Sequence, residues 1–137
     1  MAKDIYHDVV KHALIKDGWT ITDDPLEIKP EGVKLLIDLG AEKLIGAAKA
    51  HEKIAVEVKV FGGFSFISQF HTALGQFLNY RRGLELIHPD RQLFLAVPID
   101  TYDISFDTKF VRRSVEEHNI TLIVYDPVEE TIKQWVK

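Results

Sequence analysis

The sequence predicts an α/β fold, a mixed central sheet flanked by helices. Two observations lead there. The early β segments follow one another across turn signals, as antiparallel neighbours do, whereas the late strands alternate with helices, as strands covered on both faces do. The chain has 137 residues, 46% hydrophobic and 28% charged, an ordinary mixture for one core, so one domain over residues 1–137 is expected.

Residues 3–18, KDIYHDVVKHALIKDG, bring Ile5, Val9 and Ala13 onto one helical face, and Gly18 follows as a stop. Residues 19–40, WTITDDPLEIKPEGVKLLIDLG, alternate and break at Asp24-Pro25 and at Lys29-Pro30-Glu31-Gly32. This predicts a strand pair joined by a turn, with Asp38 near the end of the second strand. The following AEKLIGAAKAHEK is rich in helix formers around Gly46 and predicts a short helix or helical turn. IAVEVKVF, residues 54–61, is a run of β-branched residues closed by Gly62-Gly63 and reads as a strand. From about Ser65 to Ile87 the period is helical, with Phe70, Ala73, Leu74, Phe77, Leu78 and Leu84 forming a face to bury and Pro89 beyond the end. RQLFLAVP then reads as a buried strand, TYDISFDTKFVRRSVEEHN as mostly helix, ITLIVYDP as a strand and TIKQWVK as a last strand at the sheet edge.

Composition excludes several classes of function. Without cysteine there is no disulfide, no thiolate zinc site and no cysteine nucleophile. A net charge of −4 gives no global field to draw the chain to nucleic acid, so any phosphate-binding surface must be local. The start, MAKDIYHD, is charged within its first residues and differs from a secretory signal, and no apolar run is long enough to span a bilayer. A cytoplasmic protein with no membrane association is therefore expected. The phosphate-cradling, dinucleotide-binding, nucleophile-elbow and zinc-protease motifs are all absent. His7 and His12 are five positions apart, roughly 140° around a helix, and do not form a ligand pair.

An acid two residues before a lysine occurs three times, as Glu27-Ile28-Lys29, Glu57-Val58-Lys59 and Asp107-Thr108-Lys109. Chance alone supplies about one such match in a chain of this size. Context separates the three, because only Glu57 and Lys59 sit in a strongly apolar strand, where the two-residue period sends them to one face with Ala55. A charge pair in mid-sheet needs partners or a purpose. Asp38, 19 positions earlier, is the natural partner. Two carboxylates brought together repel, and a divalent cation resolves the repulsion; hard oxygen ligands suit Mg2+, with Mn2+ as the alternative. Such an ion polarises a scissile phosphate and acidifies a bound water, and Lys59 would orient that water or neutralise developing charge. This set suits phosphodiester hydrolysis. On an edge strand with one wet face, the same Glu57 and Lys59 would be only a solvated ion pair contributing at most about 1 kcal/mol.

Asp38 followed by Glu57-x-Lys59 on the next strand resembles the PD-(D/E)xK, or restriction-endonuclease-like, superfamily. Gln76 and Tyr80, in LGQFLNY, match a Q-x-x-x-Y pattern found in some of its nucleases. Four positions apart, they share one helical face. The stretches AKDIYHDVVKHALIKDGWTITDDPL, IDLGAEKLI, KIAVEVKVF, ALGQFLNYR and PDRQLFLAVP further resemble the XisH family of cyanobacteria. That family is named for a factor required for excision of the fdxN element, a programmed DNA rearrangement. The resemblance implies a restriction-endonuclease-like fold, DNA as partner, and action beside a site-specific recombinase and an XisI-like companion. It implies a site made of Asp38, Glu57, Lys59, Gln76 and Tyr80, in which Gln76 and Tyr80 set the substrate or the lysine, with Asp8 as an additional acid. A non-catalytic accessory protein that keeps the fold and regulates the recombinase through protein contacts is the second reading.

Two other features stand out. Phe61, Phe64 and Phe66 around Gly62-Gly63 would either project for a homodimer or a partner protein, or fold back onto the core. Arg81-Arg82 and Arg112-Arg113 would either meet phosphates or form solvated helix surface.

Overall fold

A computed structural model of the chain describes residues 2–47, 50–63 and 65–137, with side chains from residue 5. Helix α1 spans Ala2–Lys16. Gly18 ends it at φ +95°, where a Cβ is unfavourable, and the Trp19 N–H donates back to the Leu14 carbonyl. Strands β1 (Thr20–Asp23) and β2 (Leu26–Ile28) lead to a 3-10 turn at Pro30–Gly32, and β3 (Leu35–Ile37) follows. Then come β4 (Leu39–Ile45), β5 (Ala50–Val58), α2 (Phe66–Ile87), β6 (Arg91–Pro98), α3 (Ile99–Ile104), α4 (Lys109–Glu117), β7 (Leu122–Asp126) and β8 (Thr131–Val136).

The result is an α/β structure with a mixed sheet of six strands, ordered β1-β4-β5-β6-β7-β8, and a separate antiparallel pair, β2-β3. β5 pairs in parallel with β6, and β6 with β7, each through a helical crossover. The outer pairings are antiparallel.

Alternation along β5 divides the core. Ile54, Val56 and Val58 pack with Val10 and Leu14 of α1, Phe94 of β6 and Tyr125 of β7. Ala55 faces the opposite layer, where Phe70, Ala73, Phe77 and Leu84 of α2 lie against Leu93, Leu95 and Val97 of β6 and against Leu26, Ile28 and Ile37 of the β2-β3 hairpin. Gly83 is what allows that hairpin so close. A Cβ there would lie 3.0 Å from Ile28 Cδ1 and Leu35 Cδ1 and 3.2 Å from Pro30 Cγ. The Ser65 side chain caps α2 by accepting from the Ser68 N–H at 3.2 Å.

Three sequence expectations are corrected. AEKLIGAAKAHEK is not helical: its described residues belong to the end of β4, the turn at Gly46 and the start of β5. A seven-pair antiparallel register from Leu39↔Val56 to Ile45↔Ala50 outweighs local helix propensity, and Gly46 turns at φ +67°. The segment read as one strand pair is three short strands, with β1 on β4 and β2 on β3. Asp38 sits in the bend between β3 and β4, not within a strand, and Lys59 lies just past the end of β5.

Phe61 and Phe66 fold back, packing with each other at 5.3 Å and against Phe106 at 5.6 and 5.4 Å between ring centroids. Phe64 lies outside the described residues. Among those described, no helix is long and apolar enough to cross a membrane.

Candidate functional site

β4 and β5 bring the two acids together. Their register runs Leu39↔Val56, so one further step sets Asp38 opposite Glu57. There the ladder gives way to a reciprocal pair of side-chain bonds. The Asp38 N–H donates to Glu57 Oε1 at 3.1 Å, and the Val58 N–H donates to Asp38 Oδ2 at 2.8 Å. Each carboxylate thus spends one oxygen holding the other's strand and keeps its second oxygen out of these bonds.

Glu57 is the buried charged residue of the core, 4% exposed. Burial pushes its carboxyl from 4.5 up to about 7, the Asp38 charge adds to the rise, and the Asp38 N–H and the Lys59 charge oppose it. Lys59 Nζ lies 3.8 Å from Glu57 Oε2, with its side chain 24% exposed. From α2, Gln76 Nε2 donates to the Tyr80 hydroxyl at 2.9 Å. Burial raises the Tyr80 hydroxyl above its usual range, and the Glu57 and Asp38 charges raise it further against the Gln76 bond. Ala55, which shares a face of β5 with Glu57, packs in the same layer as Phe77 and Tyr80, so this side of α2 lies on the Glu57 side of the sheet. Gln76 Oε1 is buried and has no hydrogen-bond partner among the described residues.

Asp38, Glu57 and Lys59 are thereby brought together at the C-terminal end of β5, and the Gln76–Tyr80 pair lies on the same side of the sheet. Asp8 does not: it is exposed on α1, which covers the opposite face of the sheet. Among the described residues, no group of three or more His, Cys, Asp or Glu is placed to hold a metal. The donor set still fits an oxygen-preferring dication. Two hard oxygens stand free of the backbone bonds, and a cation would relieve the Asp38 repulsion that adds to burial in holding Glu57 about half protonated at pH 7. The groups without a sequence signal are the backbone donors of Asp38 and Val58, which any residue type but proline would supply.

The basic pairs take different parts. Arg81 donates to the carbonyls of His118 and Asn119 at 2.8 and 3.0 Å, and Arg112 pairs with Asp107, so both have structural partners. Arg82 and Arg113 are exposed. His7 and His12 turn to different acids, Asp24 and Glu130. A cavity of about 400 Å3 lies elsewhere, lined by Tyr102, Phe106, Val115 and Val136.

Fold and site define an α/β protein with a mixed six-stranded sheet and a mutually anchored carboxylate pair, Glu57 buried and Asp38 half-buried, beside a lysine. The chain matches the family described as XisH protein over residues 1–133, and it belongs to that family. It is similar to an XisH family protein from Nostoc punctiforme PCC 73102, at 47% identity and TM-score 0.89 over 98% of this chain and 100% of that one. It is also similar to a fdxN element excision controlling factor protein from Anabaena variabilis, at 49% identity and TM-score 0.90 over 98% and 99% of the two chains. No protein of curated function matches.

Proposed function

We propose that this chain is a DNA-rearrangement factor with a PD-(D/E)xK nuclease-type site. The carrying observation is the Asp38–Glu57 pair. A buried acid whose ionisation is opposed by a neighbouring acid weakens the fold near neutral pH, and an apolar residue at position 57 would remove that cost. Such a group is retained for what it binds.

In this reading Asp38 and Glu57 hold Mg2+ or Mn2+, which when bound would polarise a phosphodiester oxygen and acidify a water. Lys59, placed beside Glu57, orients the attacking water or offsets charge developing on the phosphate. Gln76 and Tyr80 act as a hydrogen-bonded unit. The unpartnered Gln76 oxygen is free to hold the Lys59 ammonium or a substrate donor. The name of the Anabaena variabilis relative, a fdxN element excision controlling factor protein, supports the setting of element excision. In this reading DNA, an XisI-like companion and a site-specific recombinase are the partners.

The absence of a third ligating side chain among the described residues favours a second reading, a non-catalytic accessory protein that regulates the recombinase through protein contacts. Purified protein incubated with supercoiled and linear DNA and Mg2+ or Mn2+ separates the two. The nuclease reading expects metal-dependent cleavage that Glu57→Gln lowers by about a hundred- to a thousandfold, as loss of a group stabilising the transition state does. If no substrate is cut with either metal, while Glu57→Gln still supports element excision in cells, the accessory reading replaces it.

A further inference from the structure

We propose that the exposed row Ser68, Thr72, Gly75, Asn79 and Arg82 on α2 is the track along which the phosphate backbone of DNA lies. This deepens the reading above and rests on it for the identity of the partner. Three observations carry it.

The first is charge. No Asp or Glu occurs from residue 58 to residue 84, a segment that carries Lys59, Arg81 and Arg82. Against a chain net charge of −4 the segment stands at +3, which leaves −7 on the remainder. The chain's acids are thus absent from the loop after β5 and from α2 up to Leu84, and Glu85 in the last turn is the one acid of that helix. Several lysines elsewhere are occupied, as in Lys11–Asp24, Lys34–Glu27, Lys43–Asp17 and Lys133–Glu129. Arg82, by contrast, is exposed and forms no ion pair among the described residues.

The second is geometry. The five residues are all exposed. By the helical period they lie within about 40° of one direction and run roughly 21 Å along the axis, the rise of about six base pairs. That direction is opposite Phe77 and Leu84, which face the core, while Gln76 and Tyr80 lie on the flank between. Gln76 and Tyr80 thus stand between the row and the side of α2 that packs on the sheet. Serine, threonine, asparagine and arginine are the side chains that donate to phosphate oxygens without reading sequence.

The third is Gly75. Gly83, further along the same helix, is required by the hairpin packed on it, but a Cβ at Gly75 would meet nothing within 4 Å. Nothing in the fold calls for a glycine in the middle of this helix, where it lowers helix stability. A bare backbone there lets another chain approach closely.

Anisotropy of a fluorescein-labelled duplex, and of the corresponding single strand, tests the track in low salt without divalent ions. Wild-type protein is expected to bind at least one of them, with log affinity falling against log salt at a slope of about −1 to −2, for one to two phosphates neutralised by Arg82 and Lys59. Thr72→Glu, Asn79→Glu and Arg82→Glu are each expected to weaken binding about tenfold at unchanged circular dichroism, as placing a carboxylate against phosphate does. The equally exposed Lys133→Glu on β8 is expected to leave binding unchanged. Gly75→Ala should raise Tm and still weaken binding, an opposition that a purely structural role does not produce. Absence of wild-type binding, or row variants no weaker than Lys133→Glu, overturns the track. Cleavage by Glu57→Gln is scored separately: if that variant still cuts, the catalytic reading fails while the track stands.

Discussion

At the scale of single residues, Glu57 is where energy and chemistry conflict. Its ordinary carboxyl value of 4.5 rises to about 7, first through burial and then through the Asp38 charge. Below pH 4.5 both folded and unfolded chains hold the proton. Between 4.5 and 7 only the folded chain does, so stability falls as pH rises through this window, and above 7 the loss is complete. The gap corresponds to about 3 kcal/mol as an upper figure. Urea unfolding of wild type and Glu57→Gln from pH 4.5 to 8 should show the wild type losing up to this amount relative to the variant, which keeps an oxygen for the Asp38 N–H. Parallel curves would remove Glu57 as the buried titrating group. Glu57 and Lys59 were legible because an acid and a base stood inside a β-branched run, and Asp38 because an acid closed the preceding apolar segment. The mutual anchoring was not legible, since it is made by backbone N–H groups that leave no mark on residue type.

At the scale of elements, α2 shows two glycines with opposite reasons. Gly83→Leu would drive a side chain into Ile28, Leu35 and Pro30 and should cost about 1 to 3 kcal/mol, the usual range for overpacking. Gly75→Ala meets nothing and should stabilise by up to about 1 kcal/mol, the helix-propensity difference. Thermal unfolding of the two variants checks the pair, and stabilisation by both would show that the hairpin yields to the added side chain. α2 was legible nearly to its ends from periodicity, Ser65 and Pro89. The β4–β5 hairpin was not. Ala41, Glu42, Lys43 and Leu44 are good helix formers, and only pairing across Gly46 with residues up to 13 positions away makes them strand.

At the scale of the molecule, the sheet order converts distance in sequence into proximity. The hairpin sets the Asp38 bend opposite Glu57, and the crossover from β5 to β6 carries Gln76 and Tyr80 back over the same side of the sheet. The alternation of late strands and helices made the mixed sheet legible. The β2-β3 pair beside α2 was not, because its strands are three residues each and are held by Gly83 and the core rather than by a pattern of their own. The assembled whole is expected to bind one divalent ion through Asp38 and Glu57, and isothermal titration calorimetry of Mn2+ into metal-free protein at pH 7.5 tests this most directly. About one ion per chain is expected, competed by Mg2+ and released with proton uptake by Glu57 as pH falls, and binding is expected to be lost in Asp38→Asn, which keeps an oxygen for the Val58 N–H. Absence of binding at millimolar Mn2+, or undiminished binding by Asp38→Asn, would contradict it.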